Sequence, residues 1–443
     1  MKTLFLSSVI LFFSICSLLA GTPLFNKLQQ IKEISDIHEL QQSVYAEAYE
    51  FFYEQPIDHT DPSKGTFKQY VLLGHKDVKL PVVAILEGYG VNYFYESELS
   101  QLFNTNQIII EHRFFNRSIP PSGIPWKELT LKQAATDQHR IIQSLRKEIY
   151  PETTWISTGV SKGGQTTIYH RYFYPDDVEL SVPYVAPMNL AKIDPRLEKY
   201  LVNLGNTPEK RQFLEGGGKE GFLKIFEFQK RCFENLDRLT PQMQEYATDY
   251  SYTFDRVGGV ERATKLVILE YPFAFWQWGA QLDEMPETDL GDWEDIFNYL
   301  IRVSPPDFFN DSSILKIQAF YYAALTETGM YAYNTKPFKK FFKKEPSEII
   351  DFSFAMPEGY EQVPFNTKQL LQINKWLQSD AEKMLFIYGG MDPWAATAVD
   401  LQKNSKCRKF IKTDMHHGCR ISHFDGVVRM DIVETLQEWI TGK

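Results

Sequence analysis

The chain has 443 residues, of which 43% are hydrophobic and 15% aromatic. A chain of this length and composition buries a large core, which excludes an intrinsically disordered protein. The formal net charge is −10 at pH 7, with acidic and basic residues interspersed, and this argues against a nucleic-acid partner because no basic block is present to neutralise phosphates.

The first 20 residues are typical of a secretory signal peptide. A lysine at position 2 is followed by an apolar run of about 16 residues that ends in small residues, which is too short for a membrane span. Cys16 leaves a lipoprotein signal as the alternative, although the residue directly before it, Ile15, is not the small residue expected there. We expect an exported protein, secreted or periplasmic, with no membrane span once residues 1–20 are removed.

From about Phe51 to Pro187, short apolar segments alternate with amphipathic ones. The predicted strands are TFKQYVLLG, PVVAILEG, NQIIIEHR, TTWISTG and VELSVPYVAP, and the predicted long helix is TLKQAATDQHRIIQSLRKEIY. Strands that are continuously apolar and separated by helices are typical of a parallel sheet covered on both faces. The sequence therefore predicts an α/β fold with a mostly parallel sheet.

The pattern changes in the middle of the chain. Residues 189–370 hold long charged and aromatic helical segments with few strand signals, whereas residues 371–443 return to strands (KMLFIYGG, KCRKFIKTD) and a last helix, GVVRMDIVETLQEWI. We predict a signal peptide at 1–20, a first part of the core at 21–188, an inserted helical cap at 189–370 and a second part of the core at 371–443.

The segment GVSKGG, residues 159–164, lies between a predicted strand and a predicted helix. It fits the G-x-S-x-G pattern of a nucleophile elbow, in which glycines permit a strained turn that exposes the serine hydroxyl. The three fixed letters are a weak signal alone, and an ordinary glycine turn is the alternative. The strand before the segment and the helix after it favour Ser161 as a nucleophile.

Two later loops supply the partners that a nucleophilic serine needs. Asp392 follows the predicted strand MLFIYGG, and His417 follows KCRKFIKTD, in the order of acid then histidine that α/β-hydrolases use. Asp392 would also serve as the N-cap of a helix starting at Pro393, and the adjacent His416 and His417 would also fit a solvated loop pair. We choose His417 as the catalytic base.

These residues predict acyl transfer through an acyl-enzyme. The oxyanion would be stabilised by the backbone N–H of Lys162, just after the nucleophile, and by that of Tyr89 in the loop after the strand VVAILEG. The side chain of Lys162 opposes the helix dipole, so we expect a carboxylate partner for it, with Glu87 and Glu111 as candidates. A lysine lying on the surface is the alternative.

Seven segments resemble one peptidase family: FFYEQPIDHTDPSKGTFKQ, LEGYG, EHRFFNRSIP, LTLKQAATDQHRI, GVSKGGQTTIYHRYFYPDDVELSVPYVAP, GGMDPW and HHGCRI. They are similar to the secreted tripeptidyl aminopeptidases of the PS-10 serine peptidase family, relatives of lysosomal prolyl carboxypeptidase and dipeptidyl peptidase 2. The resemblance implies an α/β-hydrolase core with an inserted helical cap and a triad of Ser161, Asp392 and His417. It also implies exopeptidase action on short peptides, often with proline near the scissile bond. Lys162 stands where the lysosomal relatives carry an aromatic residue, which favours the tripeptidyl branch.

A cap inserted between the nucleophile strand and the acid strand would roof the carboxyl edge of the sheet and exclude whole proteins. Counting residues from a free N-terminus needs a carboxylate at a fixed distance to hold the substrate ammonium. Glu87 and Glu111 are candidates, and Asp283, Glu284 and Glu287 in the cap are left open. The cap aromatics are expected to pack as core or to form an apolar wall that receives proline; they are Tyr271, Phe273, Phe275, Trp276 and Trp278.

We therefore expect a secreted serine exopeptidase that releases tripeptides from peptide substrates. The alternatives are a proline-specific dipeptidyl peptidase or prolyl carboxypeptidase on the same scaffold, an esterase, and a catalytically silent exported binding protein. No H-E-x-x-H motif or phosphate-binding loop is present in the sequence, so we expect neither a metal nor a cofactor. No feature of the sequence indicates an oligomeric state.

Removing residues 1–20 would leave three cysteines, Cys232, Cys407 and Cys419. In an oxidising compartment a bridge between Cys407 and Cys419 would hold the loop that carries His417. Three free thiols are the alternative.

Overall fold

The computed structural model describes residues 21–42, 44–204, 219–287, 291–343 and 350–442. The predicted signal peptide, residues 1–20, lies outside the described residues. Within the described ranges, no helix combines the length and the hydropathy needed to cross a membrane.

In the described part of the chain, nine strands form one sheet in the order β1-β2-β3-β5-β4-β6-β7-β8-β9. Their bounds are β1 Ile34–Glu39, β2 Glu47–Pro56, β3 Thr66–His75, β4 Val82–Leu86, β5 Asn106–Ile110, β6 Trp155–Val160, β7 Leu180–Tyr184, β8 Glu382–Gly389 and β9 Lys406–Lys412.

The sheet is parallel from β5 through β9 and antiparallel at the other edge, where β1, β2 and β3 pair. The predicted mostly parallel sheet is therefore confirmed, but β1 and β2 were missed. β3, predicted as a parallel strand from its apolar run, is antiparallel to both neighbours. Its residues Val71 and Leu73 pack on one face and Tyr70 and Leu72 on the other. A strand buried on both faces is continuously apolar whichever way it runs.

The structure describes thirteen α-helices. Their bounds are α1 Pro23–Gln30, α2 Glu98–Phe103, α3 Leu131–Glu148, α4 Lys162–Phe173, α5 Pro195–Asn203, α6 Lys219–Glu234, α7 Leu236–Asp249, α8 Val260–Trp278, α9 Trp293–Val303, α10 Asp311–Lys316, α11 Gln318–Ala323, α12 Thr367–Ser379 and α13 Gly426–Thr441.

Helices α5 to α11 lie between β7 and β8 in the chain and share one large cluster of buried aromatic and aliphatic side chains. The final helix of this segment, α12, packs differently: Leu370, Ile373 and Leu377 contact the sheet cluster that contains Met384 and Phe386 of β8. The shared cluster of buried side chains therefore includes α5 to α11 but not α12. The division of the chain into core and cap stays a prediction.

The parallel strands bring four loops to one edge of the sheet. Gly88 follows β4, Ser161 follows β6, Asp392 follows β8 and His417 follows β9. Because parallel strands end at the same edge, residues separated by more than 300 positions meet there. A mostly parallel sheet with helices on its faces and these four loops at its carboxyl edge is the predicted α/β-hydrolase fold, which is confirmed.

The three cysteines are free and buried. Cys407 packs in the cluster with Met384 and Phe386, whereas Cys419 packs in the cluster with Leu385 and Ile387. Since successive residues of β8 point to opposite faces, the two thiols lie on opposite sides of the sheet. The bridge between Cys407 and Cys419 is therefore not formed, and the alternative of free thiols is the observed one.

Candidate active site

Ser161 lies at a strained turn between β6 and α4. Its backbone has φ 58° and ψ −121°, a conformation that costs a non-glycine residue about 1–3 kcal/mol. The turn is closed by a hydrogen bond from the Ser161 N–H to the carbonyl of Tyr184, 2.9 Å away. A Cβ atom at position 159 would collide with the carbonyl of Gly163, so glycine is needed there. The turn places Ser161 in the lining of a cavity at the carboxyl edge of the sheet.

His417 and Asp392 form a buried hydrogen-bonded pair. His417 Nδ1 lies 2.6 Å from Asp392 Oδ2, and the two residues are 6% and 0% exposed. The other carboxylate oxygen, Oδ1, accepts a hydrogen bond from the Trp394 N–H at 3.0 Å, so Asp392 is also an N-cap, of the 3₁₀ turn Pro393–Thr397. The N-cap role considered for Asp392 is therefore observed, and its other oxygen remains available to His417.

The adjacent His416 makes no hydrogen bond to Asp392, although it lines the same cavity as Ser161 and His417. Its Nδ1 accepts a hydrogen bond from the Gly418 N–H at 3.0 Å, and its ring packs against Gly279. Because Nδ1 of His417 is used by Asp392, Nε2 is the nitrogen that remains for a substrate or a nucleophile.

Ser161 and His417 line one cavity of about 840 Å³ between the carboxyl edge of the sheet and the inserted helices. From the sheet side, Glu87, Tyr89 and Lys162 also line it. The opposite wall comes from α8, the 3₁₀ turn Pro306–Phe309, α11 and the segment around Tyr331. The cavity has the size of a small-molecule or short-peptide site.

Lys162 is buried, and its ammonium donates a hydrogen bond of 2.6 Å to the carbonyl of Gly88. Burial lowers the pKa of Lys162 to about 7, and the ring of Phe115 lies 5.2 Å from its Nζ. Among the described residues no carboxylate pairs with it, so the expected partnership with Glu87 or Glu111 is wrong. A partly neutral, buried amine satisfied by a peptide carbonyl has no need of a negative partner.

The Gly88 carbonyl belongs to the peptide group that carries the Tyr89 N–H, one of the two expected oxyanion donors. A Cβ at position 88 would collide with the backbone of Lys162 and Gly163, so this loop lies directly against the start of α4. The Tyr89 hydroxyl interacts with the Ser161 side chain, and burial raises the pKa of Tyr89 to about 12. The hydroxyl is therefore protonated and able to donate beside the serine.

The two carboxylates expected at the site have different surroundings. Glu87 lines the cavity, accepts a hydrogen bond of 2.9 Å from the Tyr95 hydroxyl, and has its pKa raised by burial. Glu111 does not line the cavity; it accepts hydrogen bonds from the N–H groups of Val91 and Ser118 at 2.7 and 2.8 Å. Glu111 thus ties two loops together below the site.

The other acids left open do not line the cavity either; they are Asp283, Glu284 and Glu287. Oε2 of Glu284 lies 3.7 Å from Nη2 of Arg302. Two acids that sequence reasoning missed do line the cavity, Glu270 of α8 and the exposed Asp307. Glu270 had a usable signal, since it is the one charged residue in the apolar stretch between Lys265 and Asp283.

The cap aromatics divide between the two expectations. Four of them are buried in the cap cluster: Tyr271, Phe273, Phe275 and Trp276. Trp278 is 61% exposed, lines the cavity, and has its ring 6.0 Å from that of His417 in an edge-to-face arrangement. Trp394 and Phe320 add further apolar cavity surface. Within the described ranges, no group of three or more His, Cys, Asp or Glu side chains could hold a metal ion.

Comparison with solved structures finds α/β enzymes of low sequence identity. A 2-hydroxy-6-oxo-6-phenylhexa-2,4-dienoate hydrolase from Rhodococcus has 12% identity and a TM-score of 0.38, covering 92% of this chain and 100% of that one. A proline iminopeptidase from Mycobacterium smegmatis has 12% identity and a TM-score of 0.39, with coverages of 88% and 99%.

Comparison of sequences is more specific. A prolyl tri/tetrapeptidyl aminopeptidase from Streptomyces mobaraensis is 29% identical over 398 residues, which are 87% of this chain and 79% of the relative. Residues 23–439 match the family described as PS-10 peptidase S37. This is the family predicted from the seven segments. The chain therefore belongs to the PS-10 peptidase S37 family and is a serine-type peptidase.

Proposed function

We propose that this chain is an exported exopeptidase that releases tripeptides from peptides with a free N-terminus, through an acyl-enzyme on Ser161. The observation that carries the proposal is the buried hydrogen bond between His417 and Asp392 in the wall of the cavity that also holds Ser161. The S. mobaraensis relative, named for tri/tetrapeptidyl release, supports the tripeptide register. Export rests on the sequence of residues 1–20 alone.

In the first step His417 Nε2 accepts the hydroxyl proton of Ser161 as the serine attacks the carbonyl carbon of the scissile bond. Asp392 keeps the proton on Nδ1 and stabilises the imidazolium that forms. The imidazolium then protonates the leaving amine, and the tripeptide stays bound to Ser161 as an ester. Water, activated by the same imidazole, hydrolyses this ester and restores the serine.

The oxyanion of each tetrahedral intermediate needs two donors. The N–H groups of Lys162 and Tyr89 fill this role, and the ammonium of Lys162 holds the second of them in place through the Gly88 carbonyl. A donor on the carbonyl oxygen also polarises the peptide group, which strengthens its N–H as a donor. Lys162 therefore contributes to both oxyanion donors. Its backbone N–H is one of them, and its side chain positions the other, the N–H of Tyr89.

The helices between β7 and β8 limit the substrate to chain ends. They cover the cavity with α8, α11 and the turn Pro306–Phe309, and this cover would exclude folded proteins from Ser161. Apolar rings beside the serine, among them Trp278, Trp394 and Phe320, suit a proline near the scissile bond.

The proposal is tested with Ala-Ala-Pro coupled to a fluorescent amine, supplied with a free and with an acetylated N-terminus. We expect the purified enzyme to release the amine from the free form and to leave the acetylated form intact. Cleavage of the acetylated form at an equal rate would exclude an aminopeptidase. Release from Ala-Pro but not from Ala-Ala-Pro would favour the dipeptidyl alternative, and removal of a C-terminal residue from a blocked peptide would favour the carboxypeptidase.

Replacing Lys162 with methionine is expected to lower kcat by about 10- to 100-fold with little change in KM, because orientation of an oxyanion donor matters only in the transition state. Inhibition by a peptide boronic acid, which forms a tetrahedral adduct, is expected to weaken by a similar factor. The matched control is Lys409→Met, which removes an equivalent lysine-to-carbonyl hydrogen bond of 2.8 Å to Val399, a residue that does not line the cavity. A rise in KM at constant kcat would contradict this role of Lys162.

A further inference from the structure

Glu270 is a buried carboxylate in the wall of the active-site cavity. It lies in the middle of α8, is 6% exposed, and faces the cavity together with Ala274, Gln277 and Trp278 of the same helix. The three positions are four, seven and eight residues after Glu270, so they lie on the same side of the helix. This side of the helix connects the carboxylate to the part of α8 that contacts His417.

Two tyrosine hydroxyls hold one oxygen of this carboxylate. Tyr331 and Tyr333 both donate to Oε2, at 2.8 and 2.7 Å. The other oxygen, Oε1, accepts no hydrogen bond from any residue that the structure describes. Since a carboxylate has acceptor sites on both oxygens, Glu270 is fixed in orientation and keeps one oxygen for a donor in the cavity.

The surroundings of Glu270 also lack a positive charge. In the described part of the chain no Lys, Arg or His forms an ion pair with it. The groups that contact or influence it are the phenols of Tyr331, Tyr333 and Tyr321, and burial raises the pKa of Glu270 to about 7. The charged form of a buried carboxylate is destabilised when no cation is nearby. Binding of a positively charged group removes this penalty, so the site favours a cationic ligand.

Helix α8 fixes the main-chain separation between Glu270 and the point where the backbone of His417 contacts the helix. The His417 N–H donates to the carbonyl of Gln277 at 3.1 Å, so His417 meets α8 seven residues after Glu270. Seven residues of α-helix span about 10 Å at 1.5 Å each. Three residues of extended peptide span about 10 Å, at 3.3–3.6 Å each. The main-chain separation along α8 is therefore of the same order as the length of a tripeptide, before the side chains of Glu270 and His417 are counted.

We propose that Glu270 Oε1 binds the N-terminal ammonium of the substrate and that its distance from His417 along α8 sets cleavage after the third residue. This inference rests on the exopeptidase function proposed above and adds the group that sets the length of the released peptide. The ammonium replaces its water ligands with a charge-assisted hydrogen bond to Oε1, while the tyrosine hydroxyls hold the carboxylate in position.

The other two carboxylates of the cavity do not meet these requirements. Glu87 directly precedes the Gly88 peptide of the oxyanion loop, and its Cα lies beside Gly163, two residues after Ser161, which is too near the serine for three substrate residues. Asp307 is exposed on the turn Pro306–Phe309, where water weakens an ion pair. They serve as controls for the same acid-to-amide change in the same cavity.

The experiment compares Glu270→Gln with the wild-type enzyme on Ala-Ala-Pro-aminomethylcoumarin and on its des-amino analogue, in which hydrogen replaces the N-terminal amine. We expect kcat/KM for the amine substrate to fall by about 10- to 100-fold, mostly through KM, and kcat/KM for the des-amino substrate to change by less than about twofold. Asp307→Asn is expected to keep the wild-type preference for the amine. A Glu270→Gln enzyme that also keeps this preference, or loss of it in Asp307→Asn or Glu87→Gln instead, would overturn the proposal.

Fluorophosphonate labelling of Ser161 separates this inference from the proposed function. If labelling and both substrates fail in the wild-type enzyme, the proposed function is wrong; if they succeed and Glu270→Gln keeps the preference, only the ammonium site is wrong. If Glu270→Gln does not fold, inhibition of the wild-type enzyme by free peptides tests the ammonium site instead. Free Ala-Ala-Pro is expected to inhibit at least about tenfold better than its des-amino analogue and than Ala-Pro, and equal inhibition by all three would overturn the proposal.

Discussion

Replacing Ser161 with alanine is expected to lower kcat for Ala-Ala-Pro-aminomethylcoumarin by about 10⁶-fold, because the nucleophile is removed while binding is retained. The alanine variant should also lose fluorophosphonate labelling completely. The control is Ser422→Ala, which removes an exposed hydroxyl five residues after His417 and should be labelled and active like the wild type. Residual turnover above about 1% in Ser161→Ala would contradict an acyl-enzyme on this residue.

If Ser161 and His417 act together in one mechanism, the decreases in kcat caused by replacing each of them should not multiply. Once Ser161 is gone, His417 has no proton to accept, so the double variant Ser161→Ala, His417→Ala should be no slower than Ser161→Ala alone. Losses that multiply would indicate two independent sites, against the proposed mechanism.

The same position offers a test on stability. Ser161→Ala keeps a Cβ at φ 58° and should leave the free energy of unfolding nearly unchanged, whereas Ser161→Gly relieves the strain and should raise it by about 1 kcal/mol. Denaturant unfolding of the two variants measures the difference. Equal unfolding free energies would show that the turn stores no strain at this residue.

The positions of Ser161, Asp392 and His417 could be predicted from the sequence because each depends on local pattern and chain order. A glycine-rich turn between a strand and a helix marks the serine, and the other two follow later apolar strands. A parallel sheet then brings the loops to one edge without further information. The same reasoning failed for β3, since an apolar run reports burial on both faces and carries no information on direction.

The surroundings of Lys162 and Glu270 could not be predicted in this way. The helix-dipole argument for Lys162 considered only side-chain charges, whereas its partner is the main-chain carbonyl of Gly88, 74 positions earlier. Glu270 was missed, and its one sequence signal was its place as a single acid in an apolar stretch. Its two tyrosine donors lie 61 and 63 positions later, and its free oxygen is apparent only once the cavity is formed.

Replacing Asp392 with asparagine is expected to lower kcat by about 10⁴-fold while the protein stays folded. Asparagine is as good an N-cap as aspartate, so the hydrogen bond from the Trp394 N–H to the side-chain oxygen is retained. The matched control is Asp414→Asn, which makes the same change at an exposed acid that pairs with Lys412 in the loop before His417. It should keep wild-type kcat.

The reason for the large effect lies in the tautomer of His417. The Oδ2 position of Asp392 accepts the Nδ1 proton at 2.6 Å, which leaves Nε2 unprotonated and able to accept the proton of Ser161. An asparagine that presents its NH₂ group to Nδ1 favours the opposite tautomer, with the proton on Nε2, where it blocks general-base catalysis. Stopped-flow measurement of acylation should therefore show the loss in the acylation step itself, with thermal stability unchanged. A slow variant with a lowered melting temperature would instead trace the loss to unfolding, and wild-type acylation by Asp392→Asn would remove Asp392 from the mechanism.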